Sequence, residues 1–394
     1  MTTHDNDTPP APADAAPLLQ HGRPPHPALA PLVERIRAAA ADGTPLRLRG
    51  GGTKDFLGAR LAGEVQGTRA LTGIVSYEPS ELVVTVHAGT PLAELEAALA
   101  AQGQQLACEP PHFGAGATVG GMVAAGLAGP ARASRGGVRD FMLGVTVVNG
   151  RGEVLSFGGQ VMKNVAGYDV SRLMAGSWGT LALIAEVSLK VLPVPPARAT
   201  LRFDGVAEAA AIALLNRWGG QPLPLDASAW QPDAASTGGG TLWLRLAGAR
   251  AAVASALHSL RQAHGGHTVD DGEAAALWHA LREQAEPFFT PAPGQALWRL
   301  SVPDTTPPLG LGPTLVEWHG AQRWVQRPLA DAALLRETMT RVGGHATLWR
   351  THDGSRSDDA FTRPAESLLR IHRGLKHEFD PGGILGPGRM YADL

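Results

Sequence analysis

A single cysteine, Cys108, is all that the 394 residues contain. That scarcity excludes a disulfide framework and any iron–sulfur cluster held by this chain's own thiolates. Charge bias is lacking too. Lys and Arg number 34 against 36 Asp and Glu, a formal net charge of −2, so there is no basic surplus for nucleic acid, whose binding depends on displacing counterions. No uninterrupted apolar run reaches the roughly 20 residues of a membrane-spanning helix. The opening MTTHDNDTPPAPADAAPLLQ has neither the basic start nor the apolar core of a secretory signal. Its Ala, Pro and Asp content predicts a disordered tail over residues 1–24, and the expectation is a soluble, cytoplasmic protein without a membrane span.

Two familiar nucleotide motifs are also missing. The phosphate loop G-x-x-x-x-G-K-[ST] occurs nowhere, and G-x-G-x-x-G fails twice. Asp55 follows Gly50 and Gly52 where the third glycine belongs, and Val119 holds that place in GAGATVGG. Histidines form no convincing metal set either. His258, His264 and His267 do not repeat a helical i, i+4 pair, and His372 and His377, five apart on a helix, diverge.

What the chain does have is glycine in clusters. RLRGGGTKDFLG alternates Leu46 and Leu48 with Arg47 and Arg49, so a short strand delivers the chain into Gly50, Gly51 and Gly52. Three adjacent residues without Cβ permit positive φ and let N–H groups converge on an anion. ELVVTVHAG reads as a strand, after which Thr90-Pro91 is expected to cap a helix with Leu92, Leu95 and Leu99 on one face and Gly103 as its stop. Glu109 to Asp140 is rich in glycine and small residues, with no regular period, the mark of a functional loop. FMLGVTVVNG and EVLSFGG read as strands joined at Asn149-Gly150. GTLALIAEVSLKVLP alternates from Leu181 to Leu192, and PVPPAR reads as a linker. From about Ala197 to Gly344 come mixed strands and helices with seven tryptophans, Trp218, Trp230, Trp243, Trp278, Trp298, Trp318 and Trp324. An amphipathic helix near the end stops at Asp380-Pro381.

In that order, RGGGTKDFLG, GATVGGMVAAGLAG, GGVRDFMLGVTVVNGRGEVL and KNVAGYDVSRLMAGSWGTLALIAEVSLKVLP resemble the FAD-binding domain of the vanillyl-alcohol oxidase and p-cresol methylhydroxylase superfamily. With the tail FDPGGILGPGRMY, the chain is similar to the FAD-binding subunits of bacterial glycolate oxidase, also called glycolate dehydrogenase. The match covers about Pro45 to Pro193 plus the last fifteen residues. It implies an α+β fold: a two-subdomain FAD-binding domain over 25–195, a smaller α+β cap or interface domain over 196–345, and a C-terminal segment over 346–394 that packs back on the FAD domain.

The resemblance also implies a site. Gly50, Gly51, Gly52, Thr53 and Lys54 would wrap the FAD pyrophosphate. Pro110, Ala117, Thr118, Gly120 and Gly121 would approach the flavin side, Gly136 and Gly137 would follow, and Glu186 and Val187 would read the cofactor from a strand. Two departures stand out: Gly386 replaces the family's Asn before Pro-Gly, and Ala182 replaces a Gly, while Arg389 matches the family's basic residue. FAD is expected to be non-covalent, because no histidine sits in GGGTKDF and Cys108 reads as a small buried thiol. Lys163, Tyr168 and Asp169 either reach the flavin edge or fix a loop.

Catalytic relatives in the superfamily carry a G-D-G-N-x-H segment and a later Glu-His pair, and neither occurs here. Arg350, His352 and Arg356 in RTHDGSR offer a cation and a base, yet Asp-Gly is also turn chemistry, and a surface loop is the better reading. His112 reads as solvent-facing or core-satisfied. Three functions stay open: an FAD-carrying subunit beside a homologous catalytic FAD subunit and an iron–sulfur subunit, peripheral at most to the inner membrane through that complex; an independent flavin dehydrogenase of a small 2-hydroxy acid; or an assembly subunit whose FAD is structural or absent.

Overall fold

The computed structural model describes residues 25–59, 61–159, 169–233 and 239–394. The tail over residues 1–24, with Lys163 and Tyr168, lies outside the described residues. Asp169 is described, and its carboxylate accepts the Arg172 amide at 3.2 Å, the start of a short helix.

Two antiparallel sheets organise the chain. The first has five strands in the order Ile74–Glu78, Val83–His87, Ala182–Lys190, Met142–Asn149, Val154–Gly158. Its middle strand is buried along nearly its whole length, so the alternation seen in the sequence is not an in-and-out pattern. Strands flank it on both edges, and the hydroxyl of its buried Ser188 pairs with Thr85 at 2.8 Å. Asn149 closes the expected turn, its side-chain oxygen accepting the Arg151 and Glu153 amides. The helix Leu92–Ala100 buries Leu92, Leu95 and Leu99 as predicted. Thr90 is not its cap: the Thr90 hydroxyl takes the Gly73 amide at 2.9 Å, and Pro91 occupies the cap position. The aperiodic stretch Glu109 to Asp140 holds two helices, Val119–Ala125 and Arg132–Arg135, each too short for a 3.6-residue period to show.

The second sheet has eight strands, in the order His267–Thr268, Ala197–Ala207, Gly239–Gly248, Leu225–Pro232, Thr314–Glu317, Gln322–Arg327, Ala296–Ser301, His345–Thr351. The last strand carries the sheet across the boundary expected at 345. Helices Glu208–Gly219 and Arg250–His264 supply Leu215, Trp218, Val253 and Leu260 to one apolar cluster with Leu201 and Leu244 of the sheet. A different cluster joins Leu297, Trp324 and Trp349 of the sheet to Leu57, Ala125 and Leu127 of the first region. Of the seven tryptophans, all but Trp243 are buried, which makes them core.

Buried charges cross the same joint. Arg245 bonds Asp226 at 2.6 Å and Glu109 at 2.7 Å, and Arg135 takes the other Asp226 oxygen at 2.7 Å. Any misalignment of the two regions would leave a buried ion unpaired, which is costly. The C-terminal segment then returns to the first region. The Leu46 amide donates to Ile384 at 2.7 Å and the Gly386 amide to Leu46 at 2.8 Å. Asp380 holds this return, accepting from the Ile384 and Leu385 amides and from Lys376. The strand Leu46–Arg49, parallel to Glu64–Gly67, is thereby flanked on its other edge.

Candidate functional site

Where the strand Leu46–Arg49 ends, the chain enters Gly50 to Gly52, and this loop faces a second one around Gly116 to Gly121. Beside them opens a cleft that is partly exposed to solvent. At all three glycines the close neighbour is protein, and at Gly52 it is the Arg49 guanidinium. A Cβ on Gly51 would stand 1.5 Å from the Gly116 carbonyl oxygen, and one on Gly50 would stand 2.2 Å from the Thr118 hydroxyl. The two loops press backbone to backbone, and their joint edge forms one wall. Gly52 has φ +74°, a conformation glycine adopts freely, and it turns the chain toward Thr53 and Lys54.

Four cations line the cleft, Arg47, Arg49, Lys54 and Arg389, against one carboxylate, Asp55, which Arg49 bonds at 2.7 Å. The Nε of Arg47 is buried and has no hydrogen-bond partner among the described residues. Arg389 donates to the Ala59 carbonyl at 3.2 Å and stacks on Trp178 at 5.2 Å. Burial, and then the nearby Arg356, pull its pKa down to about 10, which leaves it charged at neutral pH. The Lys54 ammonium bonds the His112 carbonyl at 3.2 Å and lies 5.5 Å from the centre of the Phe113 ring. Burial lowers its pKa to about 8, with Glu283 opposing the shift. Buried cations short of carboxylates favour an incoming anion. An orphaned guanidinium nitrogen, surplus positive charge and walls free of Cβ atoms suit a diphosphate joined to a flat ring.

Of the residues expected at the site, Gly50, Gly51, Gly52, Thr53, Lys54, Thr118, Gly120 and Gly121 line this cleft. Pro110, Ala117, Gly136, Gly137, Glu186 and Val187 do not. The middle strand meets the cleft at Ala182, Leu183 and Ile184, and a strand advances about 3.3 Å per residue, so Glu186 and Val187 lie further along, inside the sheet opposite His87 and Val86. Gly137 is occupied locally, its amide donating to Asp140 at 2.8 Å. Ala117 sits behind its loop, its carbonyl accepting the Leu92 amide at 2.9 Å.

Sequence reasoning missed Arg47 and Arg49, although their alternation into a triple glycine was visible. The Gly386 departure is conservative in shape: its φ of +53° is a left-handed conformation that Asn also tolerates. His352 bonds the Pro291 carbonyl at 2.9 Å, while Arg350 stacks 4.3 Å from the centre of Phe56. His112 pairs with Glu96 at 2.9 Å, and His264 lies edge-on to Trp218.

Over 364 residues the chain is 44% identical to the glycolate oxidase subunit GlcE of Escherichia coli, a match covering 92% of this chain and 97% of that protein. The chain belongs to the GlcE family. Residues 29–158 also match the FAD binding domain family, so FAD is the cofactor this fold carries. More distant relatives share only part of the sequence. A D-lactate dehydrogenase of Anaerostipes hadrus is 38% identical over 31% of this chain and 25% of its own length. The glycolate oxidase subunit GlcD of Bacillus subtilis is 31% identical over 32% of this chain and 27% of its own. Among solved structures, an alkyldihydroxyacetonephosphate synthase superposes with a TM-score of 0.65 at 15% identity, covering 90% of this chain and 74% of that one. That likeness identifies the fold as the vanillyl-alcohol oxidase type.

Proposed function

We propose that this GlcE-family chain is the FAD-binding subunit of a multi-subunit glycolate oxidase, in which the 2-hydroxy acid glycolate is oxidised to glyoxylate. The observation that carries the reading is the cation-rich cleft between two glycine loops, in a chain similar to the Escherichia coli subunit over almost its whole length. Bound FAD supplies a two-electron acceptor. Gly50, Gly51, Gly52 and Arg47 hold the diphosphate, Lys54 and Arg389 add positive charge, and Thr118, Gly120 and Gly121 give the ring a wall without bulk. The cofactor is non-covalent: no His, Tyr or Cys lines the cleft among the described residues, and burial pushes the Cys108 thiol up to about 12, far from a reactive thiolate.

In this reading residues 25–195 carry FAD, 196–345 cap it with the strand His345–Thr351 completing the cap's sheet, and 346–394 brace the glycine loop. A homologous catalytic FAD subunit and an iron–sulfur subunit complete the enzyme, since a chain with one cysteine holds no cluster of its own. Contact with the membrane is peripheral and runs through those partners. Among the described residues no helix is long and apolar enough to cross a membrane.

The test is to purify the chain alone and with co-expressed partners, then record flavin spectra before and after glycolate. Yellow cofactor released by acid precipitation, with glycolate-dependent bleaching only in the complex, supports the subunit reading. Bleaching of the isolated chain would make it an independent dehydrogenase, and absence of flavin would make it an assembly subunit.

A further inference from the structure

Among the described residues that line the cleft, Trp178 is the one aromatic side chain, and its backbone is unusual. With φ +54° it lies in the left-handed region, in a turn with Gly176 at +86° and Gly179 at +72°. For a bulky residue that conformation is costly and persists only where the surroundings enforce it. Here they do. The Gly176 amide donates to the Val123 carbonyl at 3.0 Å and the Trp178 amide to the Ala124 carbonyl at 2.8 Å, so the turn is clipped to the end of the helix Val119–Ala125. Arg389 lies over the indole at 5.2 Å and the Phe361 ring is 6.3 Å away. The side chain is held in place and yet only half-buried.

That helix has two faces of different size. Val119, Met122 and Val123 pack into the core of the first region. Thr118, Gly121, Ala124 and Ala125 line the cleft instead, and a Cβ on Gly121 would meet only the Thr118 hydroxyl, at 3.1 Å. From Thr118 to Ala125 this low wall rises about 10 Å, longer than the two fused rings of a purine and enough for three. Its Thr118 end touches the triple-glycine loop at Gly50. Trp178 therefore stands at the other end, away from the amides and the Arg47 guanidinium that suit a diphosphate.

We propose that Trp178 packs against the three-ring end of bound FAD and is the residue by which the cleft prefers a flavin to an adenine nucleotide. The inference deepens the cofactor reading above and rests on it. Aromatic packing of this kind adds affinity beyond the area it buries. It also has an optical signature: a photoexcited flavin takes an electron from an indole in contact with it and returns it without emitting, so its fluorescence is quenched. With no second aromatic side chain among the described lining residues, that quenching is assignable to Trp178.

The full-length chain, stripped of flavin, is titrated with FAD and with ADP, which keeps the diphosphate and purine but lacks the flavin. Emission per bound flavin is then measured on FAD-loaded samples. Trp178→Leu should weaken FAD about tenfold, leave ADP unchanged and raise the emission at least several-fold. Trp178→Phe should recover most of the affinity while leaving part of the quenching lost. A general loss of fold would weaken both ligands together and does not produce this split. Equal losses for FAD and ADP would put Trp178 beside the purine or in the scaffold, and unchanged FAD affinity with unchanged emission would put it away from the cofactor. Either result overturns this inference alone, since wild type still holds FAD. Wild type that takes up no FAD overturns the cofactor reading, and this inference with it.

Discussion

Around the cleft, chain segments come together by lacking side chains: Gly50 and Gly51 let one loop touch the carbonyl and hydroxyl of another. The eight-stranded sheet does the reverse, packing with the largest side chains available, Trp298 and Trp324 on its strands and Trp218 on a helix against it. In the first region the backbone forms the cleft wall, so amides and a few guanidinium groups would do the recognition in the proposed reading. In the second the backbone is tied up in strand pairing, so recognition there would fall to isolated polar side chains. The contrast teaches where to look in each half: for missing Cβ atoms in one, and for lone charges in apolar strands in the other.

The sharpest break in this comparison is at the joint. Asp226→Ala leaves Arg245 and Arg135 without their shared carboxylate and should cost about 3–5 kcal/mol of stability, read from denaturant unfolding of wild type and variant. Burial pushes the Asp226 carboxyl up, but Arg245 and Arg135 outweigh it and hold the group below its usual range. A depressed carboxyl gives stability that is present above the unfolded value of about 3.9 and lost as pH falls below it. The variant should therefore lose part of the wild-type acid sensitivity below about pH 4.

A smaller effect would separate recognition from scaffolding within the first region. Arg47→Ala removes a cation whose Nε has no protein partner, so flavin affinity should fall about 10- to 100-fold while the thermal midpoint barely moves. Equilibrium dialysis against FAD measures the first and calorimetry the second. An equal fall in stability would mean that Arg47 braces the loop.

The smallest expected effect concerns Lys54. With its folded pKa at about 8 and a diphosphate raising it on binding, FAD affinity should decline as pH rises past 8, by at most about tenfold per unit. Lys54→Met should flatten that slope. A pH-independent affinity in wild type would place the ammonium away from the phosphates.

Much of this architecture was legible because local chemistry and global fold agree. The apolar spacing of Leu92, Leu95 and Leu99 and the Asn149-Gly150 turn depend on neighbours in sequence, and both stand as read. The triple glycine was legible as a site, but not the reason for two of its members, because the Gly116 carbonyl that excludes a Cβ at Gly51 lies 65 residues away. Glu186 and Val187 fall outside the cleft lining for a similar reason, since a motif fixes a strand and not the point where the strand leaves the cleft.

The return of the C-terminal segment has a consequence for how the protein is made. Leu46 hydrogen-bonds residues 384 and 386, and Gly386, Pro387 and Arg389 line the cleft whose other wall begins at Arg47. More than 300 residues separate the two walls, so these contacts are among the most non-local in the chain and are expected to form late. While the ribosome still holds residues 384–389, the strand feeding the glycine loop has one bare edge and the cleft one missing side. Cofactor capture then waits for residues 384–389 to dock, and a cell short of FAD would accumulate folded chains with a formed but empty cleft.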